Sequence, residues 1–407
     1  LLDWPGQTLQ EKTAALHQAC SAKAHPCTLA TAVPIISTLQ ALADLFTQPV
    51  ERLNEAQRAL ISTHFNREVL RLELERCLPR LRDEVLYPLA AWLYEEGVAS
   101  LTFIPCGLLA AFPLAAALTT VDSTPLPESF SASVAPNARS LLRGQHRDSE
   151  RSGIYTLGNP YPTQQQLRWG EAEALTLAKL GNQMGLPSGV QIQWEATRTR
   201  LLEALSSGYV VDASCHGIFE ARDFLRSRLL LAKKEVLTLA DLLSHQVNLR
   251  GLRLIILSAC QTALLDLQGA RDEVRSLAAG MLQAGAAAAL AALWAVDDKA
   301  TYLLIVRFAQ EWFGSLMAEP PSIALARAQR WLRHATNREL QQWETAMLVY
   351  ASDEANSKER EFVQSTGLRF DAMYAQELVR IKAELQAPDA CPYADPSHWI
   401  GFQITGW

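Results

Sequence analysis

The chain has 407 residues, of which 49% are hydrophobic and 20% are charged. This composition is that of a globular protein with a large core, in one large domain or two. The net charge of −6 includes no basic block, so direct binding to nucleic acid is not expected. The seven cysteines include no CxxC pair, which argues against a disulfide framework or a zinc site and favours the reducing cytoplasm. With no cofactor motif and no apolar run of ~18 residues, neither a cofactor nor a membrane span is expected.

The amino-terminal third predicts helices and one strand. Hydrophobic residues recur at helical spacing between Glu51 and Glu96, after a first stretch with little pattern. Residues 98–118 then predict a strand, a Pro-Cys-Gly turn and a buried helix. The following segment, 120–150, is rich in Ser, Pro and charge and is interpreted as a surface connection.

From Gly153 onward, apolar β-prone runs alternate with helical stretches of about ten residues. This alternation is typical of a doubly wound parallel sheet with helices on both faces. Helices are predicted to continue to His334, followed by a polar stretch, 335–366, with few packing residues. A helix near 374–385 and a final strand within 397–406 complete the prediction.

The most informative run is Leu252–Thr262, which is apolar on both faces and leads into Cys260. It predicts a central parallel strand, and the run 209–217 predicts another that ends at His216. If the two strands are neighbours, the thiol and the imidazole meet at the carboxyl edge of the sheet, where ligands bind in such folds. An imidazole beside a thiol generates the nucleophilic thiolate at neutral pH. Cys215 should point to the opposite face and lie in the core.

Several ordered blocks resemble the CHAT domain, a branch of the caspase-like cysteine peptidases that includes separases and gingipains. The blocks include Ile104-Pro-Cys-Gly, Gly158-Asn-Pro, Glu171-Ala-Glu, His216-Gly, Ser258-Ala-Cys-Gln-Thr, Leu293-Trp-Ala-Val-Asp-Asp and Pro396-Ser-His-Trp. The resemblance covers roughly residues 66–407. It implies an α/β fold with a caspase-like, mainly parallel sheet flanked by helices, in which 66–150 form an amino-terminal pseudo-half and 151–407 the catalytic half. Residues 1–65 would be a helical or linker segment.

The resemblance also implies roles for individual residues. His216 would be the general base, Cys260 the nucleophile, and Gly217 an oxyanion donor beside the N–H of Cys260. Asp212 either orients His216 or starts a turn, and it is left out because the caspase-like dyad usually lacks a carboxylate. Relatives that cut after Arg or Lys carry Asp two residues before the cysteine, where this chain has Ser258.

Ser258, Glu273 and Asp298 are the candidates for the substrate pocket. Acidic residues after strand ends are also common caps of helix N-termini, and the neighbouring Asp272 and Asp297 share that alternative.

The function implied is a cysteine endopeptidase that cleaves a partner protein in regulated bacterial defence or signalling. Relatives act beside CRISPR effectors or activate gasdermins, and tetratricopeptide-type sensor modules commonly accompany them, so a sensor module or a CRISPR effector is the expected partner. The alternative is a catalytically silent scaffold, and a small-molecule acyltransferase using the same thiol is a third possibility. The intact dyad favours the peptidase.

Overall fold

The computed structural model divides the chain into two compact units, Leu1–Gly97 and Val98–Trp407. The residues that the structure describes are 74–75, 78–79, 81–105, 110, 112–120, 126–140, 151–163, 166–218, 220, 223–244, 247–258, 276–347 and 387–406. In the first unit, a π-helical turn, Arg82–Leu86, continues into helix α1, Tyr87–Glu95. Leu86, Ala90 and Leu93 are buried at the four- and three-residue spacing of one helix face. The predicted boundary near residue 65 stays a prediction.

The second unit contains an eight-stranded sheet in the order β1-β2-β11-β10-β9-β5-β3-β4 and a three-stranded sheet in the order β6-β7-β8. In the large sheet every pairing is parallel except that of β10 with β11. This arrangement confirms the predicted α/β class with a mainly parallel sheet. The strands are β1 Ser100–Phe103, β2 Ser131–Val134, β3 Ile154–Gly158, β4 Ser188–Ile192, β5 Val210–Ser214, β6 His216–Ile218, β7 Arg228–Leu230, β8 Val236–Thr238, β9 Leu254–Leu257, β10 Ala288–Ala292 and β11 Phe402–Gly406.

Helices cover both faces of the large sheet, as predicted. On one face, Thr156 Oγ1 of β3 donates a hydrogen bond at 2.8 Å to the Ala174 carbonyl of the helix Arg168–Gln183. The preceding side chain along β3, Tyr155, points the other way and lies beside Gly208, directly after the helix Arg198–Ser207. The helices of the second unit are α2 Leu114–Thr119, α3 Arg168–Gln183, α4 Arg198–Ser207, α5 Leu239–Leu243, α6 Leu277–Ala284, α7 Asp298–Gly314 and α8 Pro321–His334, with a further helix over 337–347. Short 3-10 turns occupy Gln193–Glu195, Phe224–Arg226, Ala232–Lys234 and Pro396–His398.

Strand β2 corrects the interpretation of 120–150 as a surface connection, because all four of its residues are buried. The serine hydroxyls of β2 are buried, but each is hydrogen-bonded to another hydroxyl group. Ser131 Oγ lies 2.7 Å from Ser322 Oγ on α8, and Ser133 Oγ lies 3.1 Å from Thr102 Oγ1 on β1. A buried hydroxyl is tolerated when it is hydrogen-bonded, so serines in a sequence do not exclude a buried strand.

The helix over 337–347 corrects a second expectation, that of few packing residues after 335. Leu340 and Glu344 are both buried on it. Glu344 Oε1 lies 2.9 Å from Nζ of Lys299, and both side chains are only 4% exposed. A charged residue whose partner lies 45 positions away cannot be recognised as buried from its local pattern.

The packing of α3 against β3 predicts a cost for any side chain at Gly158. A Cβ there would lie 2.6 Å from the Gly170 carbonyl and 2.8 Å from the Ala174 Cβ, both on α3. We expect Gly158→Ala to destabilise the protein by ~1–3 kcal/mol, because backbone atoms would have to move. Urea denaturation measures this change. Gly314→Ala, which has no atom within 4 Å of the added Cβ, is the control and should be neutral or slightly stabilising. Equal losses in both variants would contradict the packing argument.

Candidate functional site

Strands β5 and β9 are direct neighbours and run parallel, with Val210 opposite Leu254 and Asp212 opposite Ile256. This confirms the predicted adjacency of the two strands. The strand end differs from the prediction, because β5 stops at Ser214 and a bend at Cys215 redirects the chain. His216 is therefore the first residue of β6, not the last of β5. Cys215 is only 1% exposed, as predicted for a core residue.

The three-stranded antiparallel sheet holds the backbone on which His216 and Gly217 lie. His216 pairs with Leu230 and Gly217 with Leu229 on β7. Leu229 is fully buried, whereas His216 and Gly217 are half-buried. His216 thus lies on a strand that is paired with β7, whose Leu229 is buried. This pairing limits the movement of the His216 backbone relative to β5.

Two acidic residues at the start of α7, the N-cap Asp297 and the first helical residue Asp298, have different roles. Asp297 is the helix cap, because its carboxylate accepts hydrogen bonds from the N–H groups of Lys299 at 3.1 Å and Ala300 at 3.2 Å. Asp298 instead turns to the N-terminus of α3, where its Oδ2 accepts from the Trp169 N–H at 3.0 Å. The first N–H groups of a helix lack partners within the helix, so this carboxylate satisfies one of them.

The pKa of Asp298 is raised to about 6, chiefly by burial, and the neighbouring Asp297 contributes to this rise. The backbone N–H groups of Trp169 and Gly170 and an electrostatic interaction with His216 act in the opposite direction. Asp298 therefore lies within electrostatic reach of the candidate base. It changes charge near neutral pH, and such perturbed groups are enriched at functional sites.

Ser258 is the residue directly after β9, on the face of the sheet that α3 covers. Burial raises the pKa of Glu173 on that helix and the Ser258 hydroxyl acts in the opposite direction, although the Ser258 oxygen makes no normal hydrogen bond among the described residues. Cys260 and Glu273 lie outside the described residues. The described part of the site therefore contains His216, Gly217, Ser258 and Asp298, and the proposed catalytic and pocket roles stay predictions.

Glu171, the first residue of the motif Glu171-Ala-Glu173, holds the loop after β3 through hydrogen bonds. Glu171 Oε2 accepts from Asn159 Nδ2 at 3.0 Å and from Gln193 Nε2 at 3.1 Å. Asn159 has a φ of 48°, a left-handed conformation that asparagine adopts more readily than most residues. Asn159 Oδ1 also accepts from the Leu167 N–H at 2.9 Å, one residue before α3. Glu171 thereby fixes the loop after β3 beside the site.

Two buried carboxyl groups were missed as site residues by the sequence reasoning, namely Glu173 on α3 and Asp212 on β5. Both are 0% exposed. Asp212 is neither the start of a turn nor a hydrogen-bond partner of His216, because its carboxylate accepts no hydrogen bond among the described residues. Its position was a usable signal, since aspartate is depleted within strands and an interior one calls for an explanation.

The described residues offer neither a metal-binding cluster nor a membrane-spanning helix. They contain no group of three or more His, Cys, Asp or Glu side chains placed to hold a metal ion. Within the same ranges, no helix combines the length and the hydropathy needed to cross a bilayer.

The fold is that of an α/β protein whose parallel strands β5 and β9 lead side by side to His216 and Ser258. The sequence profile of the CHAT domain matches residues 75–407. The chain therefore belongs to the CHAT domain family, which confirms the resemblance seen in the ordered blocks.

Among solved structures, the chain is similar to the Arg-specific cysteine proteinase gingipain R, with 9% sequence identity and a TM-score of 0.42, over 66% of this chain and 63% of that one. It is also similar to Saccharomyces cerevisiae separase in its complex with securin, with 12% identity and a TM-score of 0.38, over 65% of this chain and 16% of that one. The chain thus spans less than two thirds of either protein. A search of curated proteins finds no match.

The raised pKa of Asp298 predicts a pH-dependent effect of Asp298→Asn on stability. The folded protein holds the Asp298 proton up to about pH 6, whereas the unfolded chain releases it near the ordinary value of 3.8. Wild-type stability from this group is therefore present at low pH and lost as the pH rises through about 6. As the pH rises from 3.8 to about 6, the free energy of unfolding of Asp298→Asn should increase by on the order of 1–3 kcal/mol relative to that of wild type. Above about pH 6 this difference should stay constant.

Urea denaturation at a series of pH values measures this difference. Asp389→Asn, at a carboxylate whose side chain is 81% exposed, controls for the general effect of removing one negative charge. A difference between wild type and Asp298→Asn that is constant with pH would contradict the raised pKa.

Proposed function

We propose that this chain is a cysteine endopeptidase in which His216 and Cys260 form the catalytic dyad. The observation that carries the proposal is the register of β5 and β9. Asp212 lies opposite Ile256, and each is four residues before a member of the dyad. Parallel strands deliver the residues after their carboxyl ends to one edge of the sheet, so this register supports a meeting of imidazole and thiol.

In the proposed mechanism, His216 takes the proton of the Cys260 thiol, and the resulting thiolate attacks the carbonyl carbon of the peptide bond. The negative charge that develops on the carbonyl oxygen is held by the N–H groups of Gly217 and Cys260. When the C–N bond breaks, His216 gives its proton to the leaving amine and a thioester remains on Cys260. A water molecule, deprotonated by His216, then hydrolyses the thioester and restores the thiol.

The substrate class we propose is a partner protein in a bacterial defence or signalling pathway, with cleavage under the control of a sensor module or a CRISPR effector. Membership of the CHAT family supports this part of the proposal. The half-buried position of His216 and the electrostatic contact between His216 and Asp298 support a site that can desolvate a peptide segment.

We expect Cys260→Ala and His216→Ala each to lower cleavage of the substrate by ~10³-fold or more, because the two side chains act as one unit. The measurement is mass spectrometry of new carboxyl termini in a lysate of the source organism, incubated with wild type or variant. Cys391→Ala, which removes a half-buried thiol outside the site, is the matched control and should cut normally.

The outcomes separate the two functions under consideration. Cleavage that persists in Cys260→Ala would show that the dyad is wrong. Failure of the wild-type chain to cut any protein, together with partner binding that does not depend on Cys260, would favour the catalytically silent scaffold.

The specificity prediction is a basic residue at P1, the position before the cleaved bond. Ser258 offers no charge, so the acidic candidates are Asp298, near His216, and Glu273. A desolvated carboxylate pairs strongly with Arg or Lys and is costly when left unpaired. We therefore expect Lys or Arg at the new carboxyl termini, and loss of that preference in the double variant Glu273→Gln, Asp298→Asn. Neutral or acidic termini, or an unchanged preference in the double variant, would refute this assignment.

A further inference from the structure

The inference starts from the buried carboxyl groups of Glu173 and Asp212, which the mechanism above does not use. Glu173 lies on α3 between two points at which this helix contacts the sheet. Before it, a Cβ on Gly170 would lie 2.4 Å from Ser214 Oγ of β5. After it, the Ala174 carbonyl accepts the hydrogen bond from Thr156. Glu173 therefore faces β5. Asp212 points towards the same helix, because it lies opposite Thr156 in the parallel pairing of β3 with β5.

These two carboxyl groups have no conventional donor. Among the described residues, none of their four oxygens accepts a normal hydrogen bond. Burial raises the pKa of both groups well above their ordinary values. The charged groups that act on Glu173 are Asp212 on β5 and Asp298 on α7, both acidic, and each raises its pKa further. The neutral groups facing it are Ser258 after β9 and Tyr302 on α7.

Two adjacent buried carboxylates cannot both be charged without a large energetic cost. If one of them keeps a proton, its O–H can donate a hydrogen bond to the other, and both groups are then satisfied. We assign the shared proton to Glu173, because a second acidic group, Asp298, also acts on Glu173, whereas among the described residues Asp212 has only Glu173 beside it.

We propose that Glu173 and Asp212 are positioning residues that hold one proton between them and so fix the strand ends that carry His216 and Cys260. This inference rests on the proposed function, because it concerns the geometry of the same site. The shared proton joins α3 to β5, and the Ser258 hydroxyl extends the contact to β9. The N-terminus of α3 in turn binds Asp298. In this proposal, one buried hydrogen bond links α3 to β5 and, through Ser258, to the end of β9.

The shared proton is tested by infrared spectroscopy of the folded protein at about pH 8, where Asp298, with a pKa of about 6, is ionised. We expect wild type to show the C=O stretch of a protonated carboxylic acid. Glu173→Gln and Asp212→Asn should each lack it, because an amide donor replaces the acid proton. Glu203→Gln, at an exposed residue of α4, is the matched control and should keep the band. Absence of the band in wild type, or its persistence in Glu173→Gln, would overturn the shared proton.

The positioning role is tested with iodoacetamide, which alkylates thiolates. The rate at Cys260 is followed by peptide mass spectrometry between pH 5 and 9. Glu173→Gln keeps a donor for Asp212 and should react within about threefold of wild type. Glu173→Leu removes the donor, and we expect a loss of at least about tenfold near pH 6.5, with the pH profile of Cys260 moving to that of an ordinary thiol, near pH 8.5.

Circular dichroism checks that Glu173→Leu is folded. If it is not, Asp212→Val, whose β-branched side chain suits a strand, replaces it with the same expectation. A merely structural pair would lower stability but leave the pH profile of Cys260 in the folded molecules unchanged, which would overturn the positioning role. An ordinary thiol profile in wild type would instead refute the proposed dyad, and the positioning role with it, whereas the infrared result would still decide the shared proton.

Discussion

The structure depends first on the contact between α3 and the face of the sheet formed by β3, β4 and β5. Glycine at 158 and 170 allows the helix backbone to approach the strands closely. Because of this close approach, Glu173 interacts with Asp212, and the N-terminus of α3 donates a hydrogen bond to Asp298. Because the interior is packed as densely as a crystal, a displacement of α3 would be felt at both strand ends.

Four acidic side chains near the site illustrate how environment assigns roles to the same chemical group. Asp297 meets the free N–H groups of its own helix and caps it. Asp298, one residue later, meets another helix and titrates near neutral pH. Glu173 and Asp212 are fully buried and meet no conventional donor among the described residues, which is the basis of the proposed shared proton. Desolvation and the available donors, not the residue type, determine which carboxyl groups carry charge.

The first turn of α7 is held by a second buried interaction. Lys299 Nζ lies 2.9 Å from Glu344 Oε1 and 5.2 Å from the centre of the Trp169 ring. Trp169 also packs against Tyr302 at 5.1 Å between ring centres. Removing one partner of a buried ion pair strongly destabilises the protein, because the other charge is left buried without a partner. The helix over 337–347 is thus tied to the turn that places Asp298, which gives the segment after α8 a structural link to the candidate site.

The sequence alone determined the class of fold, because the period of hydrophobic residues reports directly on strands and helices. It also placed His216 and Cys260 after two β-prone runs, whose adjacency was a condition that the tertiary structure met. Ordered blocks determined the family. Only the tertiary structure decided that β2 is a buried strand, that β5 ends before His216 and that Glu344 is buried. Each of these depends on a partner distant in the chain, Ser322, Leu230 or Lys299. The same reason applies to Glu173 and Asp212, because a local pattern contains no information about which side chain from another element will complete a polar group.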